Sequence, residues 1–149
     1  WRADRNEYIN GGFTQEKVDS FIWPQHAFHQ KLVKAFHEAG VPILTGTDVG
    51  IACLVAGESL HRELAELVDA GLTPYDALAA GTREAARFLG QLDEIGTIEE
   101  GKRADFILLK KNPLEDIANS TTIQGVAVRG KWLSKDDIDA SLQAILDRK

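Results

Sequence analysis

One aspartate stands at a position where this sequence could support catalysis. Asp48 follows a short apolar run, residues 41–44, and lies between Gly46 and Gly50. The two glycines let the backbone turn sharply and expose the carboxylate. Because ligands of α/β folds gather beyond the carboxyl ends of strands, Asp48 is a candidate catalytic residue. An aspartate that caps the following turn would give the same pattern.

Histidines are the other residues that could do chemistry. His26, His29 and His37 share one face of a predicted helix, but the first and last of them would stand roughly 16 Å apart, too far for one ion. Only His26 and His29 could pair, and a small metal-binding protein built on them would need a third ligand. His61 lies near the loop after Asp48, as a site residue or a structural histidine.

Composition excludes several classes of function. With 17 basic and 23 acidic residues, the net charge of −6 argues against nucleic-acid binding. No apolar run approaches the roughly 20 residues of a membrane span, and no leader segment opens the chain. The single cysteine, Cys53, cannot form an intrachain disulfide and fits a reducing cytoplasm. We therefore expect a cytoplasmic protein that binds neither nucleic acid nor membrane.

Periodicity and turn residues predict the elements that must position Asp48. Residues 1–24 are expected to be loop, with one helical turn after Thr14. The apolar spacing of Phe28, Leu32 and Phe36 predicts a helix over 25–39, and residues 41–48 are predicted to be a buried strand. Three further helices are expected: from near Ser59 to Gly71, over 74–80, and over 82–89.

The character of the chain changes after residue 90. Residues 104–109 are predicted to be a buried strand, and residues 126–133 a β-hairpin turning at Arg129-Gly130. Ser134 and Asp137 are spaced to cap a final helix. The predicted division is therefore 1–90, a strand with surrounding helices, and 91–149, a β-rich segment with a C-terminal helix.

The order of several motifs resembles the amidohydrolase superfamily, in its imidazolonepropionase-like and Xaa-Pro dipeptidase-like branch. The segments that carry the resemblance are GVPILTGTD at 40–48, SLHREL at 59–64, AGLTP at 70–74 and GTIEEGKRAD at 96–105. Residues 40–48 resemble the last barrel strand of that superfamily. The resemblance covers residues 25–134 and keeps the order throughout.

The resemblance implies a metal-dependent hydrolase of C–N bonds with an α/β fold: a (β/α)8 barrel beside a small β-sandwich. Asp48 matches the aspartate that ligates a divalent ion, usually zinc, and takes a proton from the attacking water. The implied substrate is a small amide, cyclic amide or dipeptide. Val49 and Gly50, directly after Asp48, and His61 are the candidate substrate-binding residues.

The sequence departs from that pattern in its missing metal ligands. The family's His-x-His and later barrel histidines are absent, and 149 residues fall short of the roughly 250 of such a barrel. We therefore expect the helix-rich C-terminal part of the barrel with part of its sandwich, inactive and metal-free alone, completed by an N-terminal portion. The alternative is a stand-alone, non-catalytic association module that forms a homo-oligomer.

Overall fold

The computed structural model describes Gly12, residues 14–49 and residues 54–147. Gly50 and Cys53 therefore lie outside the described residues. The chain divides into two compact units, 1–81 and 82–149. Helices make up the first unit and a three-stranded sheet lies in the second, so the chain is α/β. The sequence-based boundary after residue 90 separates the predicted barrel part from the predicted sandwich part, and it stays a prediction.

The first unit begins with a longer helical region than the sequence indicated. Thr14 caps a helical turn, as expected, through a hydrogen bond from Lys17 N–H to its hydroxyl. The predicted loop beyond it is wrong, because the chain continues without a break into the long helix. Pro24 is tolerated because it lies in the first turn of that helix. The helices in the described part of this unit are α1 (Gln15–Lys17), a π-helical stretch (Val18–Ile22), α2 (Trp23–Glu38), α3 (Glu58–Asp69) and α4 (Pro74–Ala80).

Helix α2 is confirmed, and its aromatic face is not buried within the described structure. Phe28 is 61% exposed, and Leu32 and Phe36 are exposed beside it. The side of α2 that carries His26 and Gln30 lies against α3 instead, and both residues approach Glu66 of α3. The helical period was correct. The chain packs the mixed face of α2 internally because polar partners for it are present on α3.

Residues 41–48 were predicted to be a buried strand, and this prediction is wrong for the described structure. The segment follows Gly40, which ends α2 in the left-handed conformation with φ 75°. Within the described residues, 41–48 joins no β-ladder, and Val41 and Asp48 are exposed. A strand exists only when its backbone groups pair with a neighbouring strand. The described part of this unit contains helices, and a single β-bridge at Val49 directly follows the segment.

The second unit contains an antiparallel sheet in the order β1-β2-β3. The predicted hairpin is confirmed, because β2 and β3 pair from Gly125 opposite Ser134 to Val128 opposite Lys131. Arg129 and Gly130 form the turn with φ 50° and 77°, both left-handed, as tight hairpins require. The elements are α5 (Arg83–Phe88), β1 (Phe106–Leu109), a 3-10 helix (Ile117–Thr121), β2 (Ile123–Val128), β3 (Lys131–Ser134) and α6 (Lys135–Leu146).

Strand β1 is confirmed, whereas its burial is not. Ile107 and Leu108 point to opposite faces of the sheet and are 52% and 53% exposed. The strand is at the edge of the sheet and pairs only with β2 in the described structure. A continuous apolar strand is typical of burial on both faces, so the sequence indicates a covering layer that the described residues do not supply.

The N-terminal caps predicted at Thr73 and Ser134 are both confirmed. In each, the side chain of the capping residue bonds to the third residue of the helix. The Thr73 hydroxyl accepts a hydrogen bond from Asp76 N–H at 3.1 Å, with Pro74 at the start of α4. Ser134 and Asp137 cap α6 reciprocally. These signals lie within four residues, so they depend little on tertiary context. Across 14–49 and 54–147, no helix is long and apolar enough to cross a membrane.

Candidate functional site

Asp48 ends the irregular segment that follows α2, and its backbone is unusual. Its φ is 50°, in the left-handed region that non-glycine residues rarely occupy, although aspartate tolerates it better than most. The residue is exposed, and so is Val49 after it. The turn therefore presents the carboxylate outward. Left-handed residues of this kind cluster at functional sites because the surrounding structure holds them there.

Two hydrogen bonds hold the backbone just before Asp48. Thr45 N–H donates to the Ala80 carbonyl oxygen at the end of α4, at 3.4 Å. Gly46 N–H donates to Glu63 Oε1 of α3, at 2.5 Å. A Cβ placed on Gly81 would lie 3.3 Å from Thr45 Oγ1, which shows how closely the end of α4 approaches the segment. The segment is thus anchored by helices rather than by a sheet.

Glu63 is the residue of this site that sequence reasoning missed. Its Oε1 takes the Gly46 hydrogen bond, and its Oε2 is buried with no hydrogen-bond partner among the described residues. A signal was present: Glu63 precedes Leu64 by one position and Leu67 by four, and both leucines are buried. A carboxylate on the buried face of a helix requires a hydrogen-bond donor. The sequence indicates this requirement but does not identify the group that donates.

The predicted substrate-binding residues are only partly gathered by the structure. Val49 is adjacent to Asp48 and 46% exposed, whereas Gly50 lies outside the described residues. His61 is half-buried on α3. It precedes Glu63 by two positions, which places it about 200° from Glu63 around the helix. Glu63 of α3 accepts the hydrogen bond from the segment before Asp48, and the role of His61 stays a prediction.

A cavity of about 390 Å³ lies between α2 and α3, with His26, His29, Glu63 and Glu66 in its lining. His26 Nε2 lies 3.4 Å from Glu66 Oε2, and the Gln30 side-chain amide donates to the same oxygen at 3.2 Å. These contacts join α2 to α3. Asp48 does not line the cavity, so the cavity and the candidate catalytic carboxylate are separate features of the first unit.

The described structure contains no cluster of metal-ligating side chains. Within Gly12, 14–49 and 54–147, no three or more His, Cys, Asp or Glu side chains are arranged to hold a metal ion. The hypothetical pair His26 and His29 gains no third ligand there. His37 has a carboxylate neighbour, with its Nε2 3.7 Å from Asp76 Oδ2. Both His26 and His37 therefore lie beside acidic side chains of neighbouring helices.

Asp105, in the second unit, connects the start of the sheet to the hairpin turn. Its Oδ1 accepts a hydrogen bond from Arg129 N–H at 2.5 Å. That bond, together with the Arg103 side chain, holds the pKa of Asp105 below its ordinary value. Arg129 is the left-handed residue of the turn. The contact gives Asp105 a structural partner in the hairpin turn.

Comparison with known proteins matches most of the chain to one family. The model of the amidohydrolase family matches residues 28–133. Imidazolonepropionase from Haloarcula marismortui is 39% identical over 75 residues, which are 50% of this chain and 18% of that protein. Ochratoxinase from Aspergillus niger is 38% identical over 91 residues, which are 60% of this chain and 18% of that protein.

A solved structure agrees with these sequence matches. The crystal structure of a Xaa-Pro dipeptidase with methionine bound in its active site aligns with a TM-score of 0.65 and 32% identity. The alignment covers 70% of this chain and 25% of that one. The chain therefore spans less than a fifth of the length of the two curated relatives and a quarter of the solved structure.

Proposed function

Because this chain belongs to the amidohydrolase family, we propose that it is the C-terminal segment of a metal-dependent hydrolase acting on C–N bonds. The proposed substrates are a small amide, a cyclic amide or a dipeptide. A dipeptidase among the similar structures supports the last of these classes. The proposed location is the cytoplasm, on the argument that the one cysteine of the chain cannot form an intrachain disulfide.

The observation that carries the proposal is the presentation of Asp48. Its carboxylate is exposed on a left-handed turn, and the two preceding peptide groups at Thr45 and Gly46 are fixed by α4 and α3. A carboxylate held in this way is suited to accept a proton from an attacking water and return it to a leaving nitrogen. In the proposal, Val49, Gly50 and His61 contact the substrate beside it.

The described residues do not by themselves fit the divalent ion, zinc in our proposal, that the family implies. Asp48 is a single carboxylate, and the described structure brings no group of three ligands together. Catalytic zinc sites take about three protein ligands. The proposal therefore requires ligands from outside the described residues, with Asp48 contributing one, and we assign no step of the reaction to the ion.

Two exposed apolar surfaces support completion of the fold by an N-terminal portion of a barrel and sandwich. One is the face of α2 with Phe28, Leu32 and Phe36, and the other is strand β1 with Ile107 and Leu108. Burying one such side chain contributes about 1.5–3 kcal/mol. Both surfaces are therefore strong candidates for contact with further parts of the protein.

The second candidate function, a non-catalytic association module, is favoured by the same edge strand. An apolar, unpaired edge can pair with a second copy of the chain and form a homo-oligomer. The two proposals differ in what the N-terminal portion does when it is supplied in trans. A hydrolase segment would gain metal-dependent hydrolysis, whereas an association module would keep its oligomeric state and remain inactive.

The decisive experiment uses the complete protein and the variant Asp48→Asn. Asparagine keeps the size of the side chain and cannot accept the proton, so we expect the hydrolysis rate of dipeptides or cyclic amides to fall at least about 100-fold. The matched control is Asp93→Asn, which changes an exposed aspartate of the second unit. Circular dichroism verifies that both variants are folded. Retention of more than a few per cent of activity by Asp48→Asn would contradict the assigned role.

A further inference from the structure

Two glutamates of α3 stand one turn apart and hold different parts of the first unit. Glu66 Oε2 is bonded by Gln30 and lies near His26, both on α2. Glu63 Oε1 is bonded by the backbone N–H of Gly46 instead. The first glutamate therefore joins two helices. The second joins a helix to the segment that ends in Asp48.

The contact at Glu63 is suited to control the direction of the Asp48 side chain. Gly46 is two residues before Asp48, and the chain turns into the left-handed region at Asp48 itself. Non-glycine residues rarely adopt that conformation because of its steric cost, so the adjoining backbone must be held for it to persist. A hydrogen bond to an ionised carboxylate is about twice as strong as one between neutral groups.

The other anchor of the segment is a contact between two backbone groups. Thr45 N–H donates to the Ala80 carbonyl oxygen over 3.4 Å, a long separation for such a bond, whereas Gly46 N–H donates to the Glu63 side chain. The Glu63 carboxylate is also partly desolvated, since its Oε2 is buried. A charged acceptor with reduced access to water competes well for the one N–H donor in front of it.

We propose that Glu63 is a positioning residue: its carboxylate fixes the Gly46 peptide group and thereby the orientation of Asp48. The importance of that orientation for turnover rests on the proposed function, whereas the fixation of Gly46 does not. Glu63 does not contact substrate in this proposal. It acts through the backbone of the segment.

The experiment compares Glu63→Ala, Glu63→Gln and Glu66→Ala in the complete protein. Hydrogen exchange is measured at the Gly46 amide, together with kcat and KM for the hydrolysed substrate. Glu63→Ala is expected to speed exchange at Gly46 at least about tenfold, since the amide loses a charged acceptor. It is also expected to lower kcat with little change in KM. Glu63→Gln keeps an acceptor oxygen and should restore most of both properties.

Glu66→Ala is the matched control, because it removes the same side chain one helical turn away. It should lower the melting temperature by loosening α2 from α3, and leave exchange at Gly46 unchanged. Unaltered exchange at Gly46 in Glu63→Ala, or a rise spread equally over the first unit, would overturn the proposal. So would faster exchange at Gly46 with an unchanged kcat. If the unaltered protein hydrolyses no C–N substrate, the proposed function fails, while the exchange data still decide whether Glu63 holds Gly46.

Discussion

Two apolar segments of this chain, 41–48 and 106–109, carry similar sequence signals and reach different structures. Residues 106–109 form strand β1, paired with β2 from Phe106 opposite Ala127 to Leu109 opposite Ile123. Residues 41–48 join no ladder within the described structure and are held by bonds from helices α3 and α4. Similar sequence signals are therefore found in a strand in one place and in an irregular segment in the other.

The difference lies in where the pairing partner is found. The partner of β1 is β2, which begins at Ile123 and continues through a tight turn into β3. An antiparallel sheet of this kind can be completed by neighbouring stretches of chain. A strand in a parallel sheet needs partners separated by whole helices, so its formation depends on distant chain. The segment before Asp48 joins no such ladder among the described residues and is held by contacts to α3 and α4 instead.

The largest expected effect tests whether the sheet-bearing unit has packing of its own. A Cβ on Gly96 would lie 2.5 Å from the Cβ of buried Ala86 and 3.2 Å from the Thr82 carbonyl oxygen, and φ at Gly96 is 91°. Gly96→Ala should therefore lower the free energy of unfolding of this unit by about 3 kcal/mol or more. Urea unfolding, followed through NMR signals of the hairpin, measures the change.

Gly101→Ala is the matched control for that variant. Gly101 has a similar φ of 89°, but a Cβ there would meet no atom within 4 Å. Its cost should be that of backbone strain alone, about 1–2 kcal/mol. Equal losses of unfolding free energy in the two variants would mean that the contact with Ala86 contributes nothing. Backbone conformation alone would then explain the effect of both substitutions.

A smaller effect separates the paired segment from the unpaired one directly. A Cβ on Gly125 of β2 would lie 2.1 Å from Trp132 Cζ2, so the ring must move in Gly125→Ala. We expect a loss of about 1–3 kcal/mol in the free energy of unfolding. Gly46→Ala, in the segment before Asp48, meets no atom within 4 Å and should change it by less than about 0.5 kcal/mol.

Thermal unfolding of both single variants in the isolated chain provides the measurement. A loss at Gly46 as large as that at Gly125 would show that the segment before Asp48 is tightly packed in the isolated chain. The contrast between the two segments would then be wrong.

The smallest effect concerns the pH dependence of the hairpin. The hydrogen bond from Arg129 N–H lowers the pKa of Asp105 below 3.8, with a further contribution from Arg103. A carboxyl group with a lowered folded pKa stabilises the native state above its ordinary pKa and loses that contribution as the pH falls through the folded value. The hairpin should therefore be insensitive to this group above about pH 5 and weaken below about pH 4.

Replacing the carboxyl group tests its share of that dependence. Asp105→Asn should lower hairpin stability near neutral pH and flatten its decline in acid, whereas Asp93→Asn should leave the decline unaltered. Melting temperatures measured between pH 2.5 and pH 7, from about one unit below the ordinary carboxyl pKa to about three units above it, give the curve. An identical acid decline in Asp105→Asn would remove Asp105 from the explanation.

The sequence predicted what short stretches of chain can specify. The Thr73-Pro74 start of α4, the Ser134 and Asp137 cap and the Arg129-Gly130 turn are all confirmed. Each depends on residues within a few positions of one another, so the chain needs no distant partner to form them. The motifs that resembled the amidohydrolase superfamily also identified the family that matches residues 28–133.

The tertiary structure decided which surfaces meet. The sequence predicted helix α2 from the spacing of its apolar residues and did not indicate that His26 and Gln30 would approach Glu66 of α3. It marked Asp48 as a candidate and could not indicate that Glu63 would bond to the peptide group two residues before it. Hydrophobic periodicity indicates which face of a helix is apolar. It does not indicate which element packs against that face, because the tertiary structure determines which elements are close together. Local hydrogen bonds were therefore determined by the sequence itself, and the packing around the candidate site by the tertiary structure.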